Sequence, residues 1–231
     1  YWITKVALGA KGEGKIFGSK NEAILARDSE VVDLRAKIKV RTGEGLVETT
    51  VGRILFNNCL PKDYSFENAD MNSQALDRLS GKIIKNYSKE TVEDVLDKIK
   101  NLGFEYSTIS GITWGMDDLI VPPEKKALLA QADAAIESID AHYKRGLLSK
   151  EEKTDKAIEV WQKTKAEVES LVVKTLPPLG PVISIINSGA RGTWSQVVQM
   201  TGMKGLVTNP AGEILELPVR SSFKASFSRS V

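Results

Sequence analysis

The residues of this chain that are best suited to chemistry lie in the segment Ser188-Gly-Ala-Arg-Gly192. Glycines on either side of an arginine, directly before a helix, let backbone N–H groups and the helix dipole face an anion while the guanidinium holds it in a fork. Thr193-Trp-Ser-Gln196 has the capping-box pattern of such a helix start. The pattern indicates a phosphate contact, although it is also typical of an ordinary turn. It is not a P-loop, because no Gly-Lys-Ser/Thr follows.

A glycine-rich segment comes next. Gly202-Met-Lys-Gly205 leads to Asn209-Pro-Ala-Gly212 and then to Ile214-Leu-Glu-Leu217. This order is typical of a loop that packs closely against another backbone and can move. An ordinary hairpin fits the spacing equally well, so both interpretations stay open.

Few other side chains could carry chemistry. The single Cys and the single His exclude a disulfide framework, a Cys/His zinc site and a mechanism with two imidazoles. We predict that His142 is solvated, that Cys59 is a small buried residue and that Trp161 packs in a core. Asp117 and Asp118 have no third oxygen ligand nearby in sequence, which favours a turn or a helix start over a metal site.

Composition limits the class of protein. Of the 231 residues, 42% are hydrophobic and 27% are charged, which is enough for one good core or two small ones. Thirty-two basic and thirty acidic residues give a net charge of +2, so no uniform basic surface indicates nucleic acid or a membrane. The most apolar stretch, Leu176–Ile186, is short and interrupted by prolines. We expect a soluble chain, and the absence of an initiator Met favours a piece of a longer protein.

The first section is predicted to be rich in β-structure. Between Val32 and Val40, apolar residues alternate with charged ones, which is the period of a half-buried strand. Thr42–Gly45 has the composition of a turn, and Leu46–Val51 could pair back as a hairpin.

Two helices are predicted between Asn72 and Asn101. Leu76, Leu79 and Ile83 recur at helical spacing in the first. Thr91–Asp94 is predicted to open the second helix, and Gly103 to end it.

The clearest structural pattern is a long helical hairpin. Apolar residues recur every three and four residues from Leu129 to Tyr143, and a matching seam runs from Thr154 to Val172. Gly146 ends the first helix, and Ser149-Lys-Glu-Glu152 is a capping box for the second. So short a connection joins only antiparallel neighbours.

Together these elements predict an α+β fold with several parts. We expect a β-rich section at 1–50, a helical section at 51–121, the antiparallel hairpin at 122–175 and a loop-rich section at 176–231.

Four separated motifs resemble, in order, those of the largest subunit of bacterial DNA-directed RNA polymerase, β′. They are Glu48-Thr-Thr-Val-Gly-Arg53; Ser110-Gly-Ile-Thr-Trp-Gly-Met-Asp-Asp118 with Pro122; Asn187-Ser-Gly-Ala-Arg-Gly192; and Gln196, Gln199 and Gly202-Met-Lys-Gly-Leu206 with Asn209-Pro, Gly212 and Phe223. The resemblance covers essentially the whole chain. It corresponds to the part of β′ between the catalytic magnesium loop and the bridge helix.

The resemblance implies a role for each section. Residues 1–50 correspond to the end of the active-centre region, and residues 51–121 to the wall of the secondary channel, through which nucleotides enter. The hairpin at 122–175 corresponds to the rim of that channel, where transcript-cleavage factors and related coiled-coil proteins dock. Residues 176–231 correspond to the nucleotide contact and to a loop that supports the bridge helix and the trigger loop.

By the same resemblance, individual residues acquire roles. Arg191 contacts the triphosphate of the incoming nucleotide, together with Ser188, Gly189 and Gly192. The supporting residues for the bridge helix and trigger loop are Gln196, Gln199, Gly202, Met203, Lys204 and Gly205. The factor-docking rim comprises Lys144, Arg145, Glu152, Asp155 and Lys156.

The implied function is DNA-templated RNA synthesis in the cytoplasm, by a nucleotidyltransferase of which this chain is one part. Its implied partners are the rest of β′, the β, α, ω and σ subunits, nucleoside triphosphates and, through the complex, DNA and RNA; no membrane partner is implied. The family's magnesium loop, bridge helix and trigger loop are absent from the sequence. We therefore expect no catalytic residue, no bound metal or other cofactor, and no activity in the isolated chain. The alternative is a non-catalytic scaffold that binds proteins through its hairpin.

The sequence departs from the family pattern at four places. Asn187 replaces the usual Asp, and Lys204 replaces an Arg, which keeps the charge but loses the fork. Asp155-Lys156 stands where Asn-Lys is common near the guanosine-tetraphosphate site, which argues against binding of that alarmone. After Phe223 the chain continues with Ala225-Ser-Phe227 where the family has Gly-Leu.

Overall fold

The structure, a computed structural model, describes residues 1–43 and 45–227. These residues form two compact units, one made of residues 1–113 with 187–190 and the other of residues 114–186 with 191–227. Helices predominate beside a small sheet in the first unit, so the predicted α+β class is confirmed. Glu44 of the predicted turn and residues 228–231 lie outside the described residues. Within the described ranges, no helix is both long enough and apolar enough to cross a membrane.

The sheet of the first unit has three strands in the order β1-β2-β3. They are β1 (Ile16–Phe17), β2 (Ile38–Thr42) and β3 (Gly45–Thr49). β2 pairs in parallel with β1 and antiparallel with β3, so that Val40 lies opposite Val47. Ile38 and Val40 are fully buried whereas Lys39 is exposed, which confirms the predicted alternation within β2. The predicted hairpin is confirmed, but its second strand ends at Thr49 and not at Val51, because Thr50 caps a helix that begins at Val51.

The predicted start of this strand at Val32 is wrong. Val32, Leu34 and Ala36 are buried, but their segment bends, and its backbone bonds to loops instead of a strand. The Leu34 carbonyl accepts from the N–H of Gly52, and the Asp33 N–H donates to the carbonyl of Lys11. Alternating burial therefore does not require a ladder, because loops can satisfy the same backbone groups.

The first unit also contains four helices: α1 (Lys20–Asp28), α2 (Val51–Asn57), α3 (Ser73–Asn86) and α4 (Lys89–Ser110). The sequence predicted α3 and α4 but not α1 and α2. α4 begins after the cap Ser88, earlier than predicted, and runs through Gly103 to end at Gly111, whose φ is 55°. A glycine inside a helix costs about 1 kcal/mol relative to alanine but keeps its hydrogen bond, so Gly103 does not end α4.

The second unit is built on the predicted hairpin, which is confirmed. Its helices are α5 (Lys125–Lys144) and α6 (Lys150–Thr175), joined through Gly146 at a φ of 74°. The seam residues Ala132, Trp161, Val168 and Val172 are buried in one core. The remaining elements are a 3-10 turn (Met116–Asp118), α7 (Pro181–Ser188), α8 (Trp194–Thr201) and α9 (Phe223–Phe227).

Candidate functional site

A cavity of about 380 Å³ in the second unit brings several predicted residues together. Four of them, Arg191, Gly192, Gln196 and Gln199, line it. The other lining residues are mostly apolar: Trp114, Leu119, Val182, Ile185, Ile186, Val197, Met200 and Phe223. The sequence predicted the polar members of this set but not the apolar wall, because that wall is assembled from four separate segments.

Arg191 combines exposure with the lack of an acidic partner. Its side chain is exposed beside the cavity, and within the described part of the chain no carboxylate forms an ion pair with it. A guanidinium carries five N–H donors in a fixed fork that matches phosphate and carboxylate oxygens. Arg191 is therefore available to an anion from outside the described residues.

The start of α8 lies directly after Arg191. The Gln196 N–H donates to Thr193 Oγ1 at 3.4 Å, and the Thr193 N–H donates to Gln196 Oε1 at 3.0 Å, so the predicted capping box is confirmed. The first turn of α8 has no acidic side chain, which leaves the positive end of the helix dipole uncompensated. Gly192, at a φ of 80°, provides the left-handed turn before the cap.

Ser188 and Gly189 belong to the first unit. Ser188 Oγ accepts from the N–H of Ala190 at 3.2 Å. Gly189 has a φ of 75°, and an added Cβ there would lie 2.7 Å from the Cβ of Ser73. Close packing and backbone conformation therefore already require a glycine at this position, whatever else the motif binds.

Gly202, Met203 and Gly205 are packing residues. An added Cβ on Gly202 would lie 2.8 Å from Val168 Cγ1, and Met203 is fully buried. Gly205, at a φ of 84°, approaches the aliphatic chain of Lys165, whereas Lys204 is exposed. These contacts are with side chains of α6, so the predicted close approach of this segment to another backbone, and its predicted movement, stay predictions.

Two antiparallel bridges, Gly205 with Val219 and Thr208 with Ile214, fold residues 202–219 into an irregular hairpin. Asn209 caps its turn, because its Oδ1 accepts the N–H of Glu213 at 2.9 Å. The hairpin interpretation left open by the sequence is therefore confirmed. The predicted support of a bridge helix and trigger loop stays a prediction.

The five residues predicted for factor docking lie at the closed end of the α5–α6 hairpin, and all are exposed: Lys144, Arg145, Glu152, Asp155 and Lys156. The Glu152 carboxylate accepts the N–H of Ser149 at 2.7 Å, which confirms the predicted capping box. This bond holds the pKa of Glu152 below its usual value.

Lys153 is a residue of this region that the sequence analysis missed. Its Nζ lies 3.0 Å from a carboxylate oxygen of Asp140 on α5 and 3.0 Å from one of Glu216 in the irregular hairpin. The hydrogen bond to Asp140, and after it in size the one to Glu216, raises the pKa of Lys153. Sequence patterns do not reveal such a link, because Glu216 lies far along the chain.

The residues predicted to have no part in chemistry lie where the sequence analysis expected them. His142 is exposed on α5, and Trp161 is buried. Cys59 is buried, with its Sγ 3.8 Å from the Leu55 carbonyl oxygen, and burial raises the pKa of its thiol. Asp118 accepts the N–H of Gly115 at 2.8 Å within the 3-10 turn.

Comparison with known proteins decides the family. A family model described as RNA polymerase Rpb1, domain 3, matches residues 1–119, and a second, RNA polymerase Rpb1, domain 4, matches residues 139–228. The chain belongs to the family of the RNA polymerase largest subunit.

Curated relatives of this family are DNA-directed RNA polymerase β′ subunits. That of Moorella thermoacetica is 38% identical over 227 residues, which cover 97% of this chain and 20% of the relative. The subunit of Dehalococcoides mccartyi is 42% identical over 225 residues, which cover 97% of this chain and 17% of the relative. The subunit of Acidothermus cellulolyticus is 39% identical over 250 residues, which cover 99% of this chain and 19% of the relative. The chain thus spans about a fifth of the length of these β′ relatives.

Family membership raises the question of the catalytic magnesium. In the described residues, no group of three His, Cys, Asp or Glu side chains could hold a metal ion. We assign no step of the chemistry to a metal held by the described residues.

Three of the four departures from the β′ pattern lie on the surface, and the fourth begins at the half-buried Ala225 in α9. Asn187, Lys204 and Asp155 are each exposed. Packing therefore does not explain why these residues replace the common ones.

Proposed function

We propose that this chain is the section of an RNA polymerase β′ subunit that lines the secondary channel, contacts the triphosphate of the incoming nucleotide and presents a hairpin to transcription factors. The main observation behind the proposal is the exposure of the Arg191 guanidinium and its lack of an acidic partner among the described residues. Arg191 also precedes a helix start without acidic side chains. These features suit a highly charged phosphate group.

The proposed contribution of Arg191 to catalysis is electrostatic. Phosphoryl transfer depends mainly on the positioning of the reactants and on neutralisation of charge. Arg191 would hold the outer phosphates, which carry most of the charge, and so orient the nucleotide. Gln196 would act indirectly, because its Oε1 already accepts the Thr193 N–H and fixes the start of α8.

The proposed partners follow from the β′ assignment. They are the remainder of β′, the β, α, ω and σ subunits, nucleoside triphosphates, and nucleic acid bound by the whole complex. Transcript-cleavage-type coiled-coil factors would bind the closed end of the hairpin, where the five exposed charged residues lie. Lys153 supports this role, because its two ion pairs hold that end in place.

Kinetics of the assembled polymerase test the proposal. Arg191→Ala should raise the KM for nucleoside triphosphate by the value of one charged hydrogen bond, about 1.5 to 3 kcal/mol or roughly 10- to 150-fold. Arg191→Lys should fall between the native enzyme and the alanine variant, because it keeps the charge but loses the fork.

The matched control is Arg41→Ala, which removes an exposed guanidinium from the first unit. This variant should extend RNA with the native KM. Native kinetics for Arg191→Ala at limiting nucleotide would exclude the proposed contact.

A further inference from the structure

The second unit contains another cavity, of about 600 Å³, at the start of α5. Its walls include Pro122, Lys125, Lys126, Leu129, Arg220 and Ser221. It shares no lining residue with the cavity beside Arg191. Its volume is that of a small-molecule site.

Lys125 is the unusual residue of this cavity. Only 7% of its surface is exposed, yet no carboxylate of the described residues pairs with its ammonium group. Lysine is almost never fully buried unless it is paired, because an unpaired charge loses its hydration. This burial lowers the pKa of Lys125.

The charged groups around Lys125 leave an excess of positive charge. Lys126 is exposed and lines the same cavity. Arg220 also lines it, but its guanidinium is already paired with Asp133 at 2.8 Å. Glu124 is exposed and is not among the lining residues.

Lys224 does not belong to this cavity, because it is not among the lining residues and its Nζ donates to the Leu119 carbonyl oxygen at 2.7 Å. Among the described residues, Lys125 and Lys126 are the cations of the lining without a carboxylate partner. A ligand that completes the site would therefore be an anion.

We propose that this cavity binds a small organic carboxylate with an apolar body. The carboxylate would pair with the ammonium of Lys125 and receive further donors from Lys126 and the Ser221 hydroxyl. The apolar body would lie against Pro122 and Leu129. A single carboxylate suits this site better than a more highly charged phosphate, because the Arg220 guanidinium is already paired and the rest of the lining is mostly apolar.

Protection from amine labelling tests the proposal in the assembled polymerase. The probe is 4-phenylbutyrate, and its neutral counterpart is 4-phenylbutanamide. Acetylation by an N-hydroxysuccinimide ester is measured at each lysine by mass spectrometry. Saturating 4-phenylbutyrate should slow acetylation of Lys125 at least tenfold and leave Lys174, an exposed residue of α6, unchanged; the amide should protect neither.

A binding measurement provides the second arm. The Kd for radiolabelled 4-phenylbutyrate should rise about tenfold or more in Lys125→Met, the loss expected for a charge-assisted bond. Met retains most of the apolar volume of the lysine side chain and removes the unpaired charge, so the variant is expected to fold. The control Lys174→Met should bind as the native enzyme does.

Two results would overturn the proposal. The first is equal protection by the acid and the amide, which would show an apolar cavity without charge recognition. The second is an unchanged Kd in Lys125→Met, which decides the question even if the burial of Lys125 makes its acetylation slow.

Discussion

Two arginines that both lie in family motifs have different roles at the scale of single residues. Arg53 is mostly buried and satisfied: its Nε donates to the Thr4 carbonyl oxygen at 2.9 Å, and one terminal nitrogen lies 2.8 Å from Asp70. It therefore holds the first unit together. Arg191 is exposed and has no such partner within the described residues. Membership in a motif does not separate these roles, but the hydrogen-bond partners do.

Lys125 gives a prediction about stability. Lys125→Met should raise the free energy of unfolding by about 1 kcal/mol or more at neutral pH, because it removes a buried, unpaired charge. Chemical denaturation of the 231-residue chain measures this difference.

The gain in the free energy of unfolding on Lys125→Met should depend on pH. Burial lowers the pKa of Lys125 in the folded chain below its ordinary value of 10.5. Between these two pKa values the unfolded chain binds more protons, so the native free energy of unfolding rises with pH across that interval. The difference between variant and native chain should therefore shrink towards pH 10.5. A constant difference, or an equal gain in the exposed control Lys126→Met, would contradict the account.

At the scale of elements, two glycines show how context decides the effect of one substitution. Gly103 lies in the middle of α4 with no atom within 4 Å of an added Cβ. Gly202, at the end of α8, leaves no such space, because an added Cβ would lie 2.8 Å from both Val168 Cγ1 and the Val198 carbonyl oxygen. The first glycine is tolerated within a helix, whereas packing against α6 requires the second.

These contacts predict opposite effects of the same change. Gly103→Ala should stabilise the chain by about 0.5 to 1 kcal/mol, since alanine is the better helix former. Gly202→Ala should destabilise it by about 1 to 3 kcal/mol through overpacking. Denaturant titration of both variants measures these changes, and a gain in stability for Gly202→Ala would contradict the packing of α8 on α6.

The α5–α6 hairpin gives a functional prediction. Because α6 contributes Trp161, Val168 and Val172 to the core, deletion of the whole hairpin would remove the core as well. Charge reversal at its exposed end is the cleaner test. The double variant Lys144→Glu, Arg145→Glu should lose stimulation by a transcript-cleavage factor while basal elongation stays native.

The control for the hairpin test is Lys174→Glu, at the other end of α6, where the side chain is also exposed. It should respond to the factor as the native enzyme does. Full stimulation of the double variant would exclude docking at these two residues.

At the scale of the whole molecule, local patterns were predictable and long-range assembly was not. The α5–α6 helical hairpin and the capping boxes at Ser149 and Thr193 could be predicted because a helix and its cap are specified by neighbouring residues. The short helix α2 was missed because seven residues are too few to show a helical period and its apolar residues Ile54–Phe56 are also typical of a strand.

The candidate site was predictable only in part for the same reason. Arg191, Gln196 and Gln199 could be identified because they lie close together in a motif. The apolar wall around them could not, because Trp114 and Phe223 come from opposite ends of the second unit's sequence. Lys125 gave no signal at all, since a buried and an exposed lysine look alike in a sequence.

The central claim is that Arg191 contacts the outer phosphates of the incoming nucleotide, and a double perturbation tests it most directly. The measurement is the KM of assembled native and Arg191→Ala polymerase for a nucleoside triphosphate and for the matching diphosphate. The account predicts that loss of Arg191 raises the KM for the triphosphate by at least about tenfold more than that for the diphosphate, because the diphosphate already lacks the outermost phosphate of the contact. Equal increases for the two substrates would contradict it.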